Sequence, residues 1–305
     1  MKRLLADRRA AVGVALVLVI ALAALAAPLL GTGNPDLQGD VVRTRFLAPL
    51  ATGPDGAFHL LGTDRFGRDV WTRLLYGARV SLGVGLLATL ISITLGVAVG
   101  TIAGVARGPL RTALLGATDF ALALPRVVLL LLLASLWQPS AALVIVVLGL
   151  TGWMPVARLV QGEARTIAGR PFVESALALG AARRWIVLRH VLPNVLTPVF
   201  VAAALGFGNA ILLEAGLSFL GLGVQPPAAS WGNMIASGRD TLVNAPWVAT
   251  APGIALVLVV VGCTLVGDAA RDAISGRAAV SSRRGSRETR AARRTAVPQA
   301  GGYRS

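Results

Sequence analysis

Cysteine is nearly absent from this chain, lysine does not recur after Lys2, and acidic residues are few. Each scarcity removes a class of function. The single Cys263 excludes an internal disulfide framework and a cysteine-based metal site, and its apolar surroundings in sequence mark it as a small buried hydrophobe. His59 and His190 are far apart, and neither has a metal-ligating partner at helical spacing. With no G-x-x-x-x-G-K-[ST] stretch, the chain cannot cradle nucleotide phosphates by that route. Charged residues make up only 14% against 55% hydrophobic, and mean hydropathy is +0.72, which excludes an ordinary soluble domain. The net charge of +15 lies in loops and a tail beside apolar runs, so lipid headgroups rather than nucleic acid are the simpler counter-ions.

What remains is a polytopic, all-α membrane protein. Lys2, Arg3, Arg8 and Arg9 form a basic N-terminus (1–9), followed by an uncharged run from Ala10 to Leu30. A cleavable signal peptide is the competing reading of this run. Its length exceeds the usual apolar region of about 7 to 15 residues and matches a bilayer core of about 30 Å, which favours an uncleaved first span (10–30). A polar, turn-rich external segment (31–77) follows; it carries as many Asp as Arg, so its placement rests on alternation of spans rather than on charge. Further spans are expected over Val80–Ala106, Thr112–Leu136, Ala141–Leu159, Val195–Leu213 and Val248–Val266, giving six with both termini cytoplasmic. Gly96, Gly100 and Gly104 recur every four residues and predict a smooth strip for close helix packing, within this chain or against another. Five of the six tryptophans fall near span ends. The tail (274–305), with eight arginines from Gly276 onward and one acid, has too little apolar surface to fold alone; weak adhesion to anionic lipid and a merely solvated tail are both open.

One stretch organises the rest. Residues 163–194 lie between apolar runs but carry Arg165, Arg170, Arg183, Arg184 and Arg189, too many for a span. Val173 to Leu179 favours helix, Gly180 breaks it, Ala181 to Val191 is helical again, and Leu192-Pro193 is expected to stop the second piece. The result is a knuckle shaped to dock into something.

Its spacing, Glu174-Ser175-Ala176, three residues, Gly180, then Leu192-Pro193, resembles the cytoplasmic loop of importer-type ABC transporter permeases. Three further stretches narrow the resemblance to the second permease subunit of the dipeptide, oligopeptide and nickel importers. They are His59 to Leu82, Glu214 to Gly232, and the closing Gly267-Asp268-Ala269-Ala270-Arg271-Asp272; Trp153 to Glu163 also fits the approach to the loop. The resemblance covers most of residues 59–273. It implies a type I importer permease domain (78–273) of six transmembrane helices, with a coupling helix between helices 4 and 5. It also implies a bacterial plasma-membrane location and a non-catalytic subunit moving peptides or related solutes such as nickel chelates. The implied partners are a sister permease, two ABC ATPase subunits that bind the ATP and Mg, and an extracellular solute-binding protein. No cofactor belongs to this chain. Coupling falls on Glu174, Ala176, Gly180, Leu192 and Pro193.

Structural or pathway roles are expected of Asp119, Glu214, Asp268 and Arg271. Asp119 and Arg126 read as solvated or mutually paired charges beside Pro125. Glu214 is a pathway residue or a capping carboxylate, with capping favoured, and Gly216, Gly221 and Gly223 permit a re-entrant turn. Asp64, Arg65, Arg68 and Asp69 are spaced to hold a short helix at the outer interface. Two rivals stand against the importer: an ion-coupled secondary transporter, for which Asp119 is thin support, and a membrane enzyme, for which no convergent catalytic groups are visible.

Overall fold

The computed structural model describes the backbone over residues 7–295, apart from positions 39 and 55, and side chains as far as residue 273. Five helices are long and apolar enough to cross a membrane, and six if one bent pair counts as a span, matching the six expected. Helix α1 (Arg8–Leu25) starts at Asp7, whose carboxylate accepts from the Arg9 N–H at 2.9 Å. A one-residue break leads to α2 (Ala27–Leu30), so the first expected span is α1 and α2 together.

The segment after it is folded. It contains α3 (Val41–Thr44) and an antiparallel hairpin of β1 (Ala51–Thr52) and β2 (Phe58–His59), with Ala51 opposite His59. The short helix expected from Asp64, Arg65, Arg68 and Asp69 does not form. Gly67, at φ +70°, turns the chain there, and the Asp64–Arg68 ion pair (2.7 Å) closes this turn instead of a helical one. Asp69 then caps α4 (Val70–Val105) by accepting from the Thr72 N–H at 2.8 Å.

Helix α4 packs along α7 (Ala141–Ala168) through the glycine strip. A Cβ at Gly96, Gly100 or Gly104 would lie 2.5, 2.7 and 2.6 Å from the Cβ atoms of Val156, Val160 and Ala164 respectively. The strip therefore serves this chain, where only hydrogen allows the two backbones to approach so closely.

The third expected span is broken. Helices α5 (Gly108–Ala123) and α6 (Arg126–Ser135) meet at 84°, with Leu124 extended (φ −75°, ψ 131°) ahead of Pro125. The proline ring excludes helical geometry at the residue before it, and this bends the span instead of widening it.

The chain closes with α8 (Pro171–Ala178), α9 (Arg183–Ile186), α10 (Leu192–Phe219), α11 (Trp231–Arg239) and α12 (Trp247–Thr295). Helix α12 crosses α1 where a Cβ on Gly13 would meet the Gly262 carbonyl at 2.6 Å. The side chains of the basic tail beyond 273, and residues 296–305 altogether, lie outside the described residues. Tryptophans at span ends act as stitches between segments: the indole N–H of Trp71 donates to Leu30 O, that of Trp231 to Leu74 O, and that of Trp247 to Thr63 O, at 3.0 to 3.2 Å. Trp153 is the exception, lying inside α7.

Candidate functional site

At one end of the bundle the knuckle is anchored from beneath. Val173, Ile186 and Val191 are buried against Val160, Ala164, Ile167 and Val195 of α7 and α10, with Ala176 and Ala181 packed alongside. Those small residues let α8 and the following turn lie close to the bundle. Gly180 adopts φ +84°, which the sequence anticipated as a helix break, and no atom lies within 4 Å of where its Cβ would stand. The constraint at this glycine is backbone conformation, not space.

Leu192-Pro193 does not stop the second piece. Residues Val187–Val191 form a π turn that runs into α10, and Leu192 N–H reaches back to the Val187 carbonyl. Pro193 falls in the first turn of α10, where a missing N–H matters least, and the Asn194 side-chain amide donates to the His190 carbonyl at 2.7 Å. The knuckle is thus welded to a span of 37 residues, Arg183–Phe219. His190 makes ring contacts with Phe172 (5.6 Å) and Trp185 (5.0 Å), tying the two halves of the bend together.

The outward face is unengaged. Glu174, Arg170, Arg183, Arg184 and Arg189 are exposed and form no ion pair among the described residues, while Leu179 is 89% exposed and Leu188 65%. Exposed apolar side chains amid unpaired charges are the composition of a binding surface. Glu174 projects from α8 two residues from Ala176, which is half-buried, so the pair separates into one outward and one inward position.

A partly open cavity of about 410 Å³ lies between α4, α7 and α10, and its lining includes Arg126 and Arg271. Arg126 is the first residue of α6, placed there by the bend at Pro125. It is not paired with Asp119, as the sequence suggested; Asp119 binds Arg158 at 2.8 Å, linking α5 to α7. Arg271 is the one member of the closing Gly267–Asp272 motif that lines the cavity, whereas Asp268 is exposed and without an ion pair among the described residues.

Glu214 lies near the far end of α10 from the knuckle. It does not cap a helix; it is wholly buried in mid-helix and accepts from Ser81 Oγ (2.8 Å) and Ser218 Oγ (2.7 Å). Ser81 also receives the Trp231 backbone N–H, and Ser218 that of Val224. The carboxyl thereby joins α4, α10 and the loop leading into α11. Of the three glycines expected to permit a turn, Gly221 at φ +80° and Gly223 follow α10, whereas Gly216 lies within that helix. Sequence reasoning missed Ser81 and Ser218, since no spacing rule connects residue 81 to residue 214.

Long apolar helices, one of them broken, around a mostly apolar cavity that carries two arginines, with a bent loop exposed at one end, point to a membrane transport subunit. The comparisons agree. A family described as the binding-protein-dependent transport system inner membrane component matches residues 96–280. A putative peptide transport system permease protein of Brucella abortus is 39% identical over 277 residues, covering 90% of each chain. A dipeptide transport system permease protein of Alkalihalophilus pseudofirmus is 35% identical over 273 residues, covering 90% of this chain and 87% of that one. Among solved structures, an inward-facing methionine ABC transporter, MetNI, has a chain that superimposes with a TM-score of 0.53 at 21% identity, covering 64% of this chain and 93% of its own. The chain belongs to the inner membrane components of binding-protein-dependent transport systems, and its fold is that of a type I ABC importer permease. That membership displaces the ion-coupled transporter considered from sequence.

Proposed function

We propose that this chain forms one half of the translocation pathway of an ATP-driven peptide importer. A sister permease completes the pathway, two separate ATPase subunits bind and hydrolyse Mg-ATP, and an external solute-binding protein delivers the peptide. The relatives' names support peptide over the nickel chelates that the motif resemblance also allowed. The knuckle end then faces the cytoplasm, as do both termini.

The observation that carries the reading is the knuckle itself: a short helix fixed from below by Val173 and welded through the π turn to α10, with its charged and apolar groups left exposed. An element built this way transmits motion. When ATP binding closes the ATPases, a docked knuckle moves as one body with α10, and α10 carries the cavity wall with it. Glu174 meets the ATPase, Ala176 and Gly180 set the shape of the bend, and Leu192 and Pro193 begin the helix that takes the movement inward.

The test is co-expression of the tagged chain with its sister permease and ATPases, comparing wild type with Glu174→Lys and Gly180→Pro. Both variants are expected to assemble with the sister permease but to lose most of the co-purified ATPase. Wild-type chain that never recruits an ATPase, in membranes that import the solute on an ion gradient alone, would overturn the proposal.

A further inference from the structure

The cavity contains a charge pattern that the coupling mechanism does not use. Its wall includes two guanidinium groups, Arg126 and Arg271, and no carboxylate. Neither arginine takes part in an ion pair among the described residues, and Arg126 Nε is buried with no hydrogen-bond partner. The acids of adjoining elements are engaged or turned away. Asp119 is held by Arg158, Glu214 by Ser81 and Ser218, and Asp268 and Asp272 are exposed outside the cavity wall. A buried guanidinium nitrogen that lacks a partner is costly to keep, so Arg126 calls for a ligand to supply a counter-charge, and Arg271, an exposed residue of the same cavity wall, adds a second cation to it. The remaining polar wall is neutral. The Thr89 hydroxyl donates to Gly85 O and that of Ser92 to Gly149 O, while the exposed Asn209 amide makes no hydrogen bond among the described residues.

We propose that Arg126 and Arg271 form a carboxylate-binding station that receives the terminal carboxylate of the peptide in transit; this rests on the peptide-importer reading above. Guanidinium groups offer paired N–H donors matched to a carboxylate's two oxygens. A pathway that passes peptides of varied side chains has few features to grip, and the terminal carboxylate is one that every unmodified peptide carries. The volume, about 410 Å³, lies within the range of small-molecule sites and admits a short peptide end. Position adds to the argument. Arg126 stands at the break between α5 and α6, and Arg271 on α12, so the two donors come from elements that can separate as the bundle rocks. Binding would be strong in one state and weak in the other, which a transport site needs.

The test uses the complete transporter, reconstituted in liposomes, with Ser92→Cys introduced as a reporter in the cavity and Cys263→Ala to remove the native thiol. Alkylation of the reporter by a maleimide is timed with increasing trialanine, and separately with trialanine amide, which lacks the carboxylate; no binding protein is needed for this reading. The free acid is expected to protect at about tenfold lower concentration than the amide. Arg126→Gln and Arg271→Gln should each remove most of that difference, and Arg126→Lys should restore part of it. Equal protection by the two probes in the unmodified arginine background, no protection by either, or a difference that survives both glutamine variants, would overturn the station. Uptake of binding-protein-loaded trialanine, measured in parallel without the reporter, separates the two levels of the proposal. Peptide uptake without the acid-over-amide difference sinks the station alone, whereas a transporter that hydrolyses ATP but takes up no peptide sinks the peptide reading as well.

Discussion

The two ends of the bundle treat charge in opposite ways. At the hairpin end, Asp64 is 4% exposed and binds Arg68, while Arg73, equally buried, reaches Asp36 at 3.0 Å; His59 meets Asp69 at 2.9 Å, and Glu214 is wrapped by serine hydroxyls. At the knuckle end, one glutamate and four arginines of the bend stand in the open without ion partners among the described residues. At the first end the buried carboxylates and arginines are met within the chain, because a buried charge must find its counter-charge locally or destabilise the fold. The second is left open to solvent, and under the proposed docking its charges stay solvated until a partner arrives. Mutations should therefore damage stability at one end and assembly at the other.

The largest stability effect is expected from Arg68→Ala. It strands the Asp64 carboxylate in a buried site and should cost about 3–5 kcal/mol, read as a lowered midpoint in thermal unfolding of the detergent-purified chain. A loss below about 1 kcal/mol would mean that Arg73, whose Nε lies 3.9 Å from Asp64, takes over the pairing. Gly100→Leu comes next. Its side chain would collide with Val160 and the Ala157 carbonyl across the α4–α7 contact, and overpacking of that kind costs about 1–3 kcal/mol. Gly180→Ala is smaller. A non-glycine residue in the left-handed region costs about 1–2 kcal/mol, which the bend can relieve by changing shape; the sharper reading is a reduced yield of co-purified ATPase with little change in unfolding midpoint. Glu174→Lys should shift stability by less than about 0.5 kcal/mol, as exposed substitutions do, while having the strongest effect on ATPase recovery. Substantial destabilisation by Glu174→Lys would break the contrast between the ends.

Much of the bundle was legible in the sequence because bilayer burial demands long apolar runs, and such runs are local. The glycine strip was legible for the same reason, since a repeat of four residues fixes one helix face. Gly180 was readable as a bend because no other residue enters that backbone region so freely. Legibility failed where the answer depended on a distant partner. The Leu192-Pro193 pair looked like a stop, yet the π turn before it runs into α10, with Pro193 in the first turn of that helix, and the knuckle becomes continuous with α10. Asp119 and Arg126 looked like solvated or mutually paired charges; the bend at Pro125 sends Arg126 into the cavity wall and leaves a half-exposed Asp119 to Arg158.

Sequence alone therefore determined the membrane class, the glycine-packed helix contact and the presence of the bend at Gly180, because each is written in composition or short-range spacing. Only the tertiary structure decided which charges are satisfied and which are free. Glu214 became a buried tie between α4, α10 and the loop before α11, and Arg126 and Arg271 became neighbours of one cavity, through backbone paths that bring together residues more than a hundred positions apart. Coulomb and hydrogen-bond energies depend on distances in space, and no local pattern in a chain records them.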